Sequence, residues 1–543
     1  MTISSSPSIH NKFDCVIPLA LLVIFLAFTL PGISWGAPDT WHPDEIALRS
    51  IKALHGEWEF STINFDYPDL PQYTMYWLGR IVLGLGQTDR EALIAMRVLS
   101  ALLAGLTVVL TYFITRRLNG SVAVAALSGL LLICVNALPH NGRFAHNDTY
   151  LIFFTTLTVL LLANYQKTGL HGWLYASFLT VGMAASSKYN GIALVIVPGL
   201  LYLFHHGRAL IKLQLQALEI LFISGTLAFL GFAMGTPKAL TWMAYYFKRM
   251  IPALLHTGNY ARQSDSVPGI LGQYGVLWYG LGIFLFVIFG AGLIWACYQT
   301  VNALRKKESK ESVSEPFVIP LLAILAMDLP IMISYNYPLR FFLPLLPMLA
   351  ILSAFLINQL RTAIHQYHRR LKQVFDIGLG AVIIYSLAGN ISVMLLFLND
   401  ARIPASAYVA TLPADTTIEF TFYAPSLPPQ HFASKHSYPL YFSKSPNDPL
   451  PTSPNFKFNV GEVGLDERQT DYLITDNFTY DRFSDPYICA SVQVECDFFK
   501  QLNTGRSNHY KLMAEFKYTL PPYLPQINIA FVNPVIRIYE RIK

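Results

Sequence analysis

Eleven mainly apolar runs limit this chain's fold more strongly than any other feature. They lie at 16–35, 92–114, 121–138, 149–165, 172–187, 190–204, 215–234, 274–297, 317–333, 341–358 and 376–397. A span needs about 20 apolar residues, fewer where neighbouring protein shields its ends. Charge is scarce: 13% of the 543 residues are charged, against about a quarter in soluble domains. The expectation is an all-α polytopic membrane protein with about eleven transmembrane helices.

The basic residues between the runs set the sides. With the N-terminus in the cytoplasm, Arg116-Arg117, Lys167, Arg208 to Lys212, Arg305 to Lys310 and Arg361 to Lys372 all fall inside, as cytoplasmic loops require. The opposite orientation would put every one of these clusters outside. The net charge of +6 is therefore a topological signal, and no nucleic acid is expected as a partner. The reading is a multi-pass protein of the cell membrane, with a bacterial-type inner membrane favoured. A long first outer loop covers 36–91, and everything after 398 lies outside. In that loop IALRSIKALHG and PQYTMYWLGRIVLGLG suit helices lying in the interface. Lys12, the apolar run and Gly36-Ala37 also fit a cleaved signal peptide, which stays open beside a retained span.

Composition changes at 398. TTIEFTFYAP, DYLITDNF, YKLMAEFKYTL and INIAFV carry β-branched and aromatic residues partly alternating with polar ones, between Pro-rich breaks, which are strand signals. The chain thus divides into a membrane domain, 1–397, and a small C-terminal extracytoplasmic α/β or β-rich domain, 398–543. Cys489 and Cys496 can pair if that region is outside the cytoplasm. Cys15, Cys134 and Cys297 lie in or beside apolar runs.

Chemistry-bearing residues gather where outer loops meet the membrane. WHPDE at 41–45 brings Asp44 and Glu45 just past the first run; RFAHNDTY at 143–150 brings Arg143, His146 and Asp148. SSKYNG at 186–191 places Lys188 at an outer turn, and YNYPLRFFLP at 335–344 places Arg340 at the outer start of the tenth run. Cations at headgroup level suit a lipid-borne phosphate, and arginine can hold one bidentately. A nearby carboxylate can act as general base on an acceptor hydroxyl. As the bond to phosphate breaks, fixed cations stabilise the growing negative charge. Each residue also has a plainer reading. Asp44, Glu45 and Asp148 can simply begin helices. Lys188 and Arg340 can anchor spans by reaching to the interface, and His42 and His146 can be supporting or surface residues. Two carboxylates can also hold a divalent cation. The functional case rests on these groups sharing one side of the membrane.

These stretches resemble the GT-C glycosyltransferases, most of all the protein O-mannosyltransferase and aminoarabinose transferase group. HPDE at 42–45, YPDLPQY at 67–73, RFAHNDTYLIFF at 143–154, ASSKYNG at 185–191 and PLRFFLPLLPMLA at 338–350 carry the likeness, over roughly residues 10–400. The resemblance implies a GT-C fold and a polyprenyl-phosphate-linked sugar donor. It further implies Asp44 as general base beside Glu45, a supporting role for Asp148, and Lys188 and Arg340 on the donor phosphate. The reaction would be a single inverting displacement. Arg143 joins the phosphate candidates, and His42, His146, Tyr67 and Tyr189 are the substrate-contact candidates. The acceptor, whether protein, lipid or glycan, is not named by the sequence, and membrane lipids are expected partners. Two readings from other classes remain beside it: a multi-pass transporter or flippase of a lipid-linked or anionic substrate, and a scaffold whose outer domain does the work.

Overall fold

The computed structural model describes residues 13–60, 67–255, 269–305, 316–334, 337–413, 416–427, 437–439, 465, 469–490 and 493–542. All eleven apolar runs are helical there. The first is α1 (Phe13–Thr29). Helices α2 (Ala47–Leu54) and α3 (Leu70–Gly84) occupy the first loop, as its amphipathic stretches suggest. There follow α4 (Asp89–Arg117), α5 (Val122–Ile133), α6 (Ala137–Gly142), α7 (Asn147–Thr168), α8 (His171–Ser187), α9 (Ile196–Ile211), α10 (Leu215–Gly235) and α11 (Ala239–Leu255). The series continues with α12 (Gly269–Leu281), α13 (Ile283–Arg305), α14 (Val318–Met332), α15 (Leu346–Tyr367) and α16 (Arg369–Leu398).

Among the described residues, seven helical segments are long and apolar enough to cross a membrane, and α1, α5 and α14 are apolar but shorter. The run at 274–297 is broken at Gly282, whose φ of +73° ends α12 and starts α13, and α13 alone is long enough. The difference from eleven comes from four runs that give shorter helices: α5 has 12 residues and α14 has 15. Helices α1 and α8 have 17 residues each, the lower limit of a span.

The chain divides into two compact units: Asp44–Ile391 with the chain up to Ile33, and Ser34–Pro43 with Ser392–Lys543. In the first unit α8 and α10 touch backbone to backbone. A Cβ on Gly182 would lie 2.1 Å from the Ala228 carbonyl oxygen, and one on Gly231 would lie 2.1 Å from that of Leu179. Small residues allow this approach between membrane helices, and it fixes the end of α8 that leads into Lys188. Two helices of this unit begin as tighter 3-10 turns, Tyr189–Val195 before α9 and Leu339–Leu345 before α15. Proline explains both. Pro198 and Pro347 lack the N–H that would bond back to residues 194 and 343, and their rings crowd those carbonyls. These irregular entries carry Lys188 at one boundary and Arg340 within the other.

The second unit is an α/β sandwich. Its sheet has the order β2 (Ser437–Pro439), β1 (Ile418–Phe420), β3 (Tyr472–Asp476), β5 (Ile536–Arg541), β4 (Tyr510–Phe516). The β1 pairs are parallel, the β3–β5 and β4–β5 pairs antiparallel. Successive residues of a strand face opposite ways. Ile474 and Ile538 therefore pack with Ala405 and Val409 of α17 (Arg402–Val409) on one face. On the other, Leu473 and Tyr539 pack with Phe498, Phe499 and Leu502 of α18 (Gln493–Asn503). The expected strand INIAFV at 527–532 is irregular instead; Phe531 and Asn533 take φ of 67° and 55°, which turns the chain, and IRIYER forms the strand after it. Cys489 and Cys496 are joined in a disulfide.

Candidate active site

The adjacent acids of the first loop have different surroundings. Glu45 is fully buried, and its two oxygens accept from Arg97 Nε at 2.7 Å and Nη2 at 2.8 Å. Its Oε1 also accepts the Ala145 amide at 2.9 Å, and the Ile46 amide donates to the Ala145 carbonyl at 3.1 Å. Glu45 thus ties the loop to α4 and to the 143–148 stretch. Asp44 is 30% exposed, and its Oδ2 accepts from Arg340 Nη1.

Asp148 is the second residue of α7, in the first turn where a carboxylate suits the helix dipole. It is buried, and its Oδ1 accepts from Lys188 Nζ at 2.6 Å. Its Oδ2 is 4.0 Å from Arg340 Nε, which has no hydrogen-bond partner among the described residues. Arg340 therefore lies between Asp44 and Asp148. Phe341 floors the pair of cations: Lys188 Nζ is 4.2 Å from its ring centroid and Arg340 Cζ is 5.8 Å away. His146 caps α7. Its Nδ1 is 2.9 Å from Asp148 Oδ2 and 3.3 Å from the Asp148 amide, so it serves one of them at a time. Burial pulls the His146 pKa below its ordinary value, although Asp148 opposes this.

Tyr67 belongs to the same neighbourhood. Burial raises its pKa and the Asp44 charge adds to the rise, so the phenol keeps its proton. Arg49 lies over both Trp58 and Tyr67, at 5.2 Å and 5.4 Å from the ring centroids.

The remaining candidates are placed elsewhere. Arg143 donates to backbone carbonyls, Pro139 at 2.9 Å, Pro31 at 3.3 Å and Phe28, and so fastens the end of α1. Tyr189 is buried in an apolar cluster with Phe232, Tyr246 and Met250. His42 belongs to the second unit, where its ring edge meets Phe531 at 5.3 Å. Asp44, Asp148, Lys188, Arg340, His146 and Tyr67 are brought together. Arg97 and Phe341 were not expected there. A lone arginine inside an apolar run is a signal for Arg97, because such a charge must find a partner; Phe341 carries no such mark. Among the described residues no group of three or more His, Cys, Asp or Glu side chains is arranged to hold a metal ion.

Known proteins resemble both the sequence and the fold. A family model described as dolichyl-phosphate-mannose-protein mannosyltransferase matches residues 70–250, which include Asp148 and Lys188. An uncharacterized protein of Aquifex aeolicus is 24% identical over 330 residues, 59% of this chain and 61% of that one. Undecaprenyl phosphate-alpha-4-amino-4-deoxy-L-arabinose arabinosyl transferase 1 of Pseudomonas fluorescens is 29% identical over 152 residues, 27% of this chain and 26% of its own. Dolichyl-phosphate-mannose–protein mannosyltransferase 1 of Saccharomyces cerevisiae is 26% identical over 204 residues, 37% of this chain and 22% of its own. The chain thus spans less than two thirds of the length of each.

Among solved structures, ArnT from Cupriavidus metallidurans bound to undecaprenyl phosphate superposes with a TM-score of 0.50 at 13% identity, covering 97% of this chain and 98% of that one. The archaeal oligosaccharyltransferase AglB from Archaeoglobus fulgidus, in complex with an inhibitory peptide and a dolichol-phosphate, gives 0.52 at 12% identity, covering 99% and 89%. The fold is that of the GT-C superfamily of multi-pass membrane proteins. Within it, the sequence likeness runs to the mannosyl and aminoarabinosyl transferases, as the motifs imply.

Proposed function

We propose that this protein is a membrane glycosyltransferase that moves a sugar from a polyprenyl-phosphate carrier to an acceptor hydroxyl. One observation carries the reading: Arg340 bonds Asp44 while lying 4.0 Å from Asp148, to which Lys188 is paired. Two carboxylates and two cations from four separate segments meet at a place where Asp44 and Arg340 keep partial exposure. The likeness to proteins named for undecaprenyl-phosphate and dolichyl-phosphate sugars supports the donor class.

Asp44 is the general base. It takes the acceptor proton as the acceptor oxygen bonds to the anomeric carbon. The bond from that carbon to the phosphate oxygen breaks, and its electron pair leaves with polyprenyl phosphate. Lys188 and Arg340 receive the charge that grows on the phosphate, the point at which fixed cations contribute most. Asp148 holds Lys188 in place, and Glu45 holds the loop that presents Asp44. The topology that fits is a cytoplasmic N-terminus with the C-terminal unit outside, which the Cys489–Cys496 disulfide supports.

The test is donor consumption in reconstituted membranes, with a panel of polyprenyl-phosphate sugars and a membrane extract as acceptor source. One donor should be consumed by the native protein. A native protein that consumes none, while moving a lipid-linked substrate across the bilayer, would replace this reading with the transporter.

A further inference from the structure

A groove outside the candidate site lies between α5, α15 and α16. Its volume is about 320 Å³, and its lining includes Leu127 of α5, Ile357 and Arg361 of α15, and Asp376, Leu379 and Ile383 of α16. All belong to the first unit. Arg361 donates to Asp376 through Nε at 2.8 Å and Nη2 at 3.0 Å. This pair and Asn358 give the groove its polar lining, and the rest of the lining is aliphatic or small; the side chains of the pair are 48% and 33% exposed.

The sequence of α16 extends that polarity in one direction. Residues three, four or seven apart share a helix face. Arg369 and Lys372 therefore continue the face on which Asp376, Leu379 and Ile383 line the groove. Because α15 ends where α16 begins, Arg361 and these two cations gather at the same end of the hairpin. From 361 to 376 there are four Lys and Arg residues, Arg361, Arg369, Arg370 and Lys372, against one acid, Asp376. A cationic rim over an apolar slot between membrane helices complements an anionic headgroup carrying an acyl chain, as basic pockets at cytoplasmic helix ends do. It does not complement a zwitterionic lipid, whose own cation would meet the same rim.

We propose that this groove is a binding site for an anionic phospholipid of the cytoplasmic leaflet. The headgroup lies on Arg361, Arg369 and Lys372, and one acyl chain runs along Leu127, Ile357, Leu379 and Ile383. The leaflet follows from the topology proposed above; the binding does not depend on the transfer reaction.

Native mass spectrometry of the full chain released from nanodiscs tests this, comparing phosphatidylglycerol with phosphatidylcholine. Two variants separate the parts. Lys372→Gln with Arg369→Gln removes rim charge and leaves the Arg361–Asp376 pair intact. Gly380→Leu fills the slot; a Cβ there meets no atom within 4 Å, so the helix can accept it. The native protein should retain phosphatidylglycerol at least tenfold more than phosphatidylcholine, and each variant should lose that excess. Equal retention of the two lipids, or retention unchanged in both variants, would overturn the proposal. So would displacement of the phospholipid by polyprenyl phosphate at equal concentration, or closure of the groove by a second copy of the chain.

Discussion

Two of the places where aspartate meets arginine beside aromatic rings are built differently. In the second unit Asp400 and Arg402 are completely buried. Arg402 donates to both Asp400 oxygens, at 2.9 Å and 2.8 Å, and to the Phe531 carbonyl at 2.9 Å. Its guanidinium lies over Trp35 at 4.9 Å and Trp41 at 4.4 Å. Asp400 further accepts the Trp35 indole N–H at 2.9 Å and the Asn533 amide at 2.7 Å. In the first unit Asp44 and Arg340 are partly open, and Arg340 Nε is left without a hydrogen bond among the described residues. A saturated, buried ion pair holds its surroundings in one arrangement. One with spare donor capacity and an open side can exchange a partner, as a phosphate-binding arginine must.

The comparison can be broken by substitution. Arg402→Gln should have the largest effect, because it leaves Asp400 charged and buried without its partner. A loss of about 3–5 kcal/mol is expected, read as early thermal unfolding and proteolysis of the C-terminal unit. A variant that melts like the native protein would show that saturation is not what stabilises this unit. Arg340→Gln should lower turnover about 10²–10³-fold, the usual effect of removing one donor that stabilises developing charge, with little change in melting. Steady-state donor consumption beside a thermal melt separates the two.

Smaller effects sharpen the contrast. Replacing Cys489 and Cys496 by serine opens a short loop, seven residues in separation. This should cost the second unit about 2 kcal/mol and leave turnover per folded molecule unchanged. The smallest effect concerns pH. Burial, with the Arg143 and Arg340 charges adding, lowers His140 to about 3, while the unfolded chain takes its proton near pH 6.5. A depressed histidine pKa stabilises the fold above pH 6.5, and that contribution is lost progressively as pH falls from there towards 3. Between pH 7.5 and 5.5 the loss from this residue should be about 1 kcal/mol. His140→Phe should flatten the dependence of melting temperature on pH by that amount, and an unchanged slope would assign the dependence to other groups.

Much of this was legible before any coordinates. Low charge and long apolar runs leave helices as the natural outcome, and every run is helical. The gathering of Asp44, Asp148, Lys188 and Arg340 followed from their common place at span ends. What stayed hidden depends on partners distant in sequence. Nothing in Asp44-Glu45 says that Glu45 turns to Arg97 while Asp44 turns to Arg340, and a phosphate-binding Arg143 cannot be told by sequence from one that fastens backbone carbonyls. The 3-10 entries are marked only by Pro198 and Pro347, and span lengths depended on breaks such as Gly282. In the second unit, Trp35 reads as the end of the first apolar run and Trp41 as part of the first loop, yet both pack on Arg402, more than 360 residues away.

The most direct measurement of the central claim pairs Asp44→Asn with Asp400→Asn and records turnover and melting temperature for both. Asp44→Asn should melt within a few degrees of the native protein, still bind the polyprenyl-phosphate sugar, and lose donor consumption by about 10²–10⁴-fold, the contribution of a general base. Asp400→Asn should melt early while its folded fraction turns over. Undiminished donor consumption by Asp44→Asn would contradict the account and remove Asp44 from the chemistry.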